Sequence, residues 1–167
     1  GAGANVVFGV IIGTGTGGGV VVGGRLVTGP NGIAGEWGHN PLPWPTDEER
    51  PGPACYCGRH GCIERFLSGP GMQDDYTRAT GQPRSPLEIV ADAEAGDRAA
   101  LEALGRYEER MARALASVIN MLDPDVIVLG GGMSNSASLY ARVPALWTPF
   151  VFGASETHPV RTRLVRA

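Results

Sequence analysis

The stretch Asp123–Gly132 reads DPDVIVLGGG and decides the class of fold. Asp125–Leu129 is a short aliphatic, β-branched run of the kind expected for a strand covered on both faces. Gly130–Gly132 supply a tight turn. Ala137–Trp147 then reads as a helix, beginning after the candidate caps Ser134, Asn135 and Ser136. Strand, glycine turn and helix in that order form an α/β unit.

Working outward, Asp97 is a plausible N-cap for a long helix. Leu101, Leu104, Met111, Leu115, Val118 and Leu122 recur after it at three- and four-residue steps, with one seven-residue gap that Tyr107 or Glu108 bisects, and Asp123-Pro124 stops the run. Ser85–Glu94, with Pro86 at its start, reads as a shorter helix. Ile63, Phe66 and Leu67 share a helical face, and Ser68–Gly71 is expected to break that run before a second short helix through Tyr76. At the start of the chain, Asn5–Ile12 (NVVFGVII), Val20–Val22 and Arg25–Val27, separated by glycines, read as a β-hairpin or meander. Val160–Val165 is a candidate last strand. Gly29–Gly61 has neither period and is rich in Pro, Gly, His and Cys, so it reads as a long excursion held by something other than backbone ladders.

Composition narrows the chemistry. A chain of 167 residues with 43% hydrophobic and 19% charged residues suits one domain with a sizeable core. All fourteen basic residues are Arg, which excludes a P-loop lysine, a Schiff base and a lysine general base within this chain. The net charge of −3 and the scattering of arginines among acidic neighbours argue against a nucleic-acid partner. No apolar run approaches the length that spans a bilayer and no signal-peptide pattern opens the chain, so a cytoplasmic protein without a membrane partner is expected. Gly1 stands where an initiator Met would, as in a piece of a longer product. Asp47–Glu49 and Glu108–Arg110 read as solvated charged faces.

Three clusters carry chemistry. Cys55, Cys57 and Cys62, with His39 upstream, offer three thiolates and an imidazole, the donor set of a closed structural zinc site. Reduced cysteines that merely pack are the alternative, but three within eight residues among Arg59, His60 and glycines favour the metal. His60 reads as a solvated loop residue. The run Gly13–Gly19 (GTGTGGG) contains G-x-G-x-x-G, yet a strand follows it instead of a helix, so a dinucleotide-binding reading fails. Such a turn either wraps polyphosphate with backbone N–H groups or is a plain flexible hairpin. Gly130–Gly132 is a second candidate nucleotide contact. Glu36 and Glu64 lie near His39 and Cys62 in sequence. A metal-braced loop would hold both carboxylates rigidly enough to accept hydrogen bonds from sugar hydroxyls, whereas without it they read as surface groups.

Taken together, Gly13–Gly19, Ala34–His39 (AGEWGH), Cys55–Glu64 (CYCGRHGCIE) and Asp123–Gly132 resemble, in order and spacing over nearly the whole chain, the ROK family of sugar kinases and repressors. The resemblance implies an α/β, actin-like ATPase (ribonuclease H-like) fold. It implies zinc on His39, Cys55, Cys57 and Cys62, sugar hydroxyls on Glu36, His39 and Glu64, ATP phosphates at Thr14 and Gly15, and the adenosine side at Gly131 and Gly132. His39 would place one ring nitrogen on zinc and turn the other toward sugar. Gly35–Trp44, Met133–Asn135, Phe150–Gly153, Glu156 and Pro159–Arg161 are most similar to the fructokinase or mannokinase branch, with N-acetylglucosamine kinases the nearest competitor and the sugar-sensing domain of a repressor a further alternative. The family's D-x-G-G-T-K motif and the Asn-Asp pair that carries its general base do not occur here. The chain therefore reads as a single C-terminal lobe over 1–167, with its zinc excursion at about 29–64. The expected function is hexose phosphorylation with ATP and magnesium in a full-length homo-oligomeric enzyme, with no catalytic residue in this chain and no activity from it alone.

Overall fold

The computed structural model describes all 167 residues. Five strands form one sheet: β1 (Val6–Ile12), β2 (Thr16–Val22), β3 (Arg25–Leu26), β4 (Val126–Gly130) and β5 (Arg163–Arg166), in the order β3-β2-β1-β4-β5. The first three form the expected antiparallel meander; β4 then pairs with β1, and β5 with β4, in parallel. The register opposes Ile12 to Thr16 and leaves only Gly13, Thr14 and Gly15 in the turn. Alternation along β1 sends Phe8, Val10 and Ile12 into the core with Ile127 and Leu129 of β4, while Val7, Ile11 and Val128 lie on the other face.

The helices are α1 (Ile63–Leu67), α2 (Gly69–Thr80), α3 (Pro86–Glu94), α4 (Arg98–Leu122) and α5 (Ala137–Leu146). The long helix α4 is central: Leu104, Tyr107, Met111, Leu115 and Ile119 are buried, and Asp97 caps its first turn by accepting the Ala100 N–H at 2.8 Å. Ser85 and Glu88 form a reciprocal capping box on α3. The expected break between the two helices is present but narrower, confined to Ser68, and Gly69–Gly71 already belong to α2: Ser68 is its N-cap, accepting from the Gly71 N–H at 3.1 Å, and Pro70 sits in the first turn, where its missing N–H costs nothing. No helix is long and apolar enough to cross a membrane.

Two charge assignments need correction. Asp47, Glu48 and Glu109 are exposed as expected, but Glu49, Glu108 and Arg110 are not solvated. Glu49, in a single 3-10 turn of the excursion, accepts from Arg110 Nε at 2.7 Å and from both terminal nitrogens of Arg113 at 2.7 and 2.8 Å. Arg110 also donates to Asp75 of α2, which Arg106 grips with two bonds. Glu108 is fully buried and paired with Arg142 of α5 at 3.0 Å. The physical reason is that these charges meet partners from distant elements: ion pairs and hydrogen bonds offset desolvation at Glu49 and Arg110, whereas Glu108 has the Arg142 ion pair alone.

Burial alone would raise the Glu49 pKa, but the bonds from Arg113 and Arg110 hold the carboxyl down to about 2, from an ordinary value near 4.5. A depressed folded-state pKa stabilises the fold fully above about pH 4.5 and progressively less as pH falls toward 2. Glu49→Gln is therefore expected to lower stability at neutral pH by about 3 kcal/mol and to flatten the acid limb of the stability curve. Denaturant melts of both proteins at stepped pH check this; parallel curves would remove Glu49 from the acid response.

Candidate functional site

The excursion is tied down by backbone bonds as well as by side chains, contrary to expectation. Ile63 N–H donates to Asn40 O at 2.9 Å, Glu64 N–H to Gly38 O at 2.8 Å, and Leu42 N–H to Gly61 O at 2.9 Å, so the segment before α1 runs antiparallel to residues 38–42. Trp37 anchors that segment to the sheet. Its indole donates to Gly17 O at 3.0 Å and packs edge-on to Phe8. Gly38 passes so close to β2 that a Cβ there would lie 1.9 Å from Thr16 O. His39, Cys62 and Glu64 are thereby placed side by side.

Cys55, Cys57, Cys62 and His39 converge with their ligating atoms all within 4.8 Å of one another, whereas His60 stands outside the group. His39 Nδ1 lies 3.5 Å from Cys55 Sγ, and Cys57 Sγ 3.6 Å from Cys62 Sγ. Atoms bound 2.0–2.3 Å from one ion in a tetrahedron sit roughly 3.5–3.8 Å apart, so spacing and donor set both fit zinc. Burial, together with the neighbouring Cys57 and Cys55 sulfurs, pushes the Cys62 thiol up to about 12. A divalent cation would relieve that crowding by favouring thiolates.

With Nδ1 turned to the sulfurs, His39 Nε2 lies 2.8 Å from the Tyr56 hydroxyl, and the two rings meet edge-on at 5.0 Å. The expectation that this nitrogen faces sugar needs that amendment: a phenol is already there. The Tyr56 hydroxyl has its pKa raised, chiefly by the charge of Glu64 and also by burial and by Cys55, Cys57 and Glu36. Sequence reasoning passed over Tyr56 because a residue between two cysteines carries no signal of its own. Glu36 is exposed and follows the excursion's turn; Glu64, in the first turn of α1, is half-buried, with Oε2 accepting the Thr16 N–H at 3.0 Å.

The two glycine turns meet across a cleft of about 710 Å³. Thr14 and Gly132 both line it. Gly15 and Gly131 sit beside it: Gly15 against the Glu64 carboxylate, and Gly131 against the backbone of Ile12. The far wall comes from α2 and α3, through Pro70, Leu87, Val90 and Glu94. Leu87 stands 75% exposed at that wall, an apolar surface suited to a flat ring, and the sequence marked α3 only as a helix.

Compared with known families, residues 1–167 match the ROK family throughout. The chain belongs to the ROK family. An N-acetyl-D-glucosamine kinase of Pectobacterium atrosepticum is 40% identical over 143 residues, which is 83% of this chain and 47% of that protein. The ROK hexokinase of Thermus thermophilus superposes with a TM-score of 0.81 at 32% identity, covering 98% of this chain and 52% of that one. A ROK family glucokinase from Streptomyces griseus in complex with glucose and AMPPNP gives a TM-score of 0.82 at 25% identity, over 98% and 56%. This ROK chain therefore spans about half the length of the curated relatives it matches, and its sheet and helices have the actin-like ATPase fold.

Zinc analysis of freshly purified protein is expected to give one ion per chain, with Cys57→Ser lowering the content and acid or a chelator releasing it. A zinc-free protein with three titratable native thiols would leave the cluster without a metal role.

Proposed function

We propose that the protein to which this ROK chain belongs transfers the terminal phosphoryl group of MgATP to a hexose hydroxyl. One observation carries the reading. Glu64, two residues after Cys62 of the sulfur cluster, accepts the Thr16 N–H where the β1–β2 turn enters β2, and Thr14 of that turn lines the 710 Å³ cleft. A sugar held by carboxylates and a nucleotide held by glycine turns would therefore sit next to each other.

In this reading Glu36 and Glu64 accept hydrogen bonds from sugar hydroxyls, and the imidazole of His39 is fixed in orientation by its contact with the sulfur cluster. Backbone N–H groups of the turn approach the phosphates, and the α3 wall receives the adenine ring. Zinc held by His39, Cys55, Cys57 and Cys62 would supply no chemistry to the transfer and would brace the loop that leads into Glu64. Positioning and charge neutralisation, the latter helped by magnesium, do most of the work in such transfers, and none of these residues is assigned as the base.

For the sugar, N-acetylglucosamine takes first place, supported by the 38–40% identity to N-acetyl-D-glucosamine kinases. Fructose, favoured by the Gly35–Trp44 and Phe150–Gly153 segments, is the second reading. A ROK family transcriptional regulator homologous to E. coli MLC shares the fold at a TM-score of 0.77, so a sugar-sensing role is the alternative from another class.

A coupled assay of ADP release by the full-length protein, run against a panel of hexoses, tests the reading. N-acetylglucosamine is expected to give the highest kcat/KM, and Glu36→Gln to raise its KM about ten- to a hundredfold, as expected for losing one charged acceptor. A higher kcat/KM for fructose would reverse the substrate order, and sugar binding without turnover would favour the sensor.

A further inference from the structure

We propose that Glu64 couples the sugar site to the nucleotide site, through the hydrogen bond that its carboxylate accepts from the Thr16 N–H. This inference rests on the hexose-kinase reading above and adds an energetic link between its two ligands.

The turn between β1 and β2 has few restraints. Gly13 N–H donates to Gly15 O at 3.0 Å within the turn, and Gly13 O accepts the Gly69 N–H at 2.8 Å. At the other end, Thr16 N–H donates to Glu64 Oε2 at 3.0 Å, the one hydrogen bond from residues 13–16 to a side chain. The hydroxyl of Thr16 is itself buried with no partner. The turn is therefore gripped by Glu64, in the first turn of the five-residue helix α1, and by Gly69, the first residue of α2. Between the two grips Thr14 is exposed and lines the cleft together with Gly69.

Glu64 has two carboxylate oxygens. Oε2 is taken by the turn, and Oε1 makes no hydrogen bond within the protein. A sugar hydroxyl donating to Oε1 restricts rotation of the carboxylate and so fixes Oε2 against the Thr16 N–H. The turn is then ordered before the nucleotide arrives, and binding loses less conformational entropy. By linkage the nucleotide must tighten the sugar by the same factor. Both ligands thus act on one two-atom contact.

Gly15 offers a clean perturbation. A Cβ there would stand 2.7 Å from Glu64 Oε2, the far end of a flexible side chain, and the Gly15 backbone is not in the left-handed region. Gly15→Ala therefore displaces the carboxylate without demanding a new backbone. Gly105→Ala in α4 adds a methyl with open space around it away from the turn and the cleft, and serves as the control.

The test is calorimetric titration of the full-length protein with AMPPNP and magnesium, with and without saturating N-acetylglucosamine, and the reverse pair of titrations. In the wild type the sugar is expected to tighten AMPPNP at least fivefold, within the usual range of such couplings, and AMPPNP to tighten the sugar equally. Gly15→Ala and Glu64→Asp are expected to bring that ratio near one, while Gly105→Ala keeps it. A wild-type ratio of one with both ligands bound, or an undiminished ratio in Gly15→Ala, overturns the coupling and leaves the kinase reading standing. Nucleotide binding with no binding of any hexose in the panel overturns the kinase reading, and the coupling with it.

Discussion

The short antiparallel pairing of residues 38–42 with Gly61–Glu64 is the constraint on which the site depends. Its three backbone bonds close a loop of about twenty residues that has almost no regular structure of its own. Closing such a loop is an entropic cost that the bonds alone would scarcely offset. They act together with the sulfur cluster at one end of the loop and the Glu49–Arg110–Arg113 ion pairs at the other. Between those two fastenings the chain is free to be irregular, and Trp44 adopts a left-handed backbone (φ 46°) with its carbonyl held by Arg113.

The pairing also explains why α1, only five residues long, is well placed. Its start is fixed by Asn40 and Gly38, and its end by the Tyr107 hydroxyl, which donates to Leu67 O at 2.7 Å from the middle of α4. A helix this short has little stability of its own. Tertiary bonds at both ends make it rigid, so Cys62 just before it and Glu64 in its first turn inherit that rigidity.

Much of this was legible in the sequence for local reasons. The meander, β4 and α4 follow from periodicity and glycine boundaries, and the Cys/His quartet follows from donor chemistry and spacing. The buried charges were not legible. Glu49 and Arg113 are 64 residues apart and Arg110 and Asp75 are 35 apart, so a window scan sees only hydrophilic residues on a helix surface. Tyr56 escaped for the same reason, because its contact with His39 spans 17 residues of irregular chain. The break between α1 and α2 was legible, but not that it is one residue wide, because Ser-Gly-Pro-Gly carries both turn and helix-initiation signals and the Ser68 cap decides between them. The kinase branch was read from loop segments, whereas the relatives in the comparison are named N-acetyl-D-glucosamine kinases; sugar preference in a kinase rests on pocket shape, which motifs do not encode.

The close pass of Gly38 over Thr16 has a consequence for how this surface evolves. At 1.9 Å from a backbone oxygen, a methyl group at Gly38 has no side chain to push aside, so the position is closed to all other residues. Gly15, only two bonds from the same strand start, meets nothing but a movable carboxylate. One is an immovable joint and the other a tuning screw: substitution at Gly15 can shift the Glu64 carboxylate, while the joint at Gly38 stays frozen.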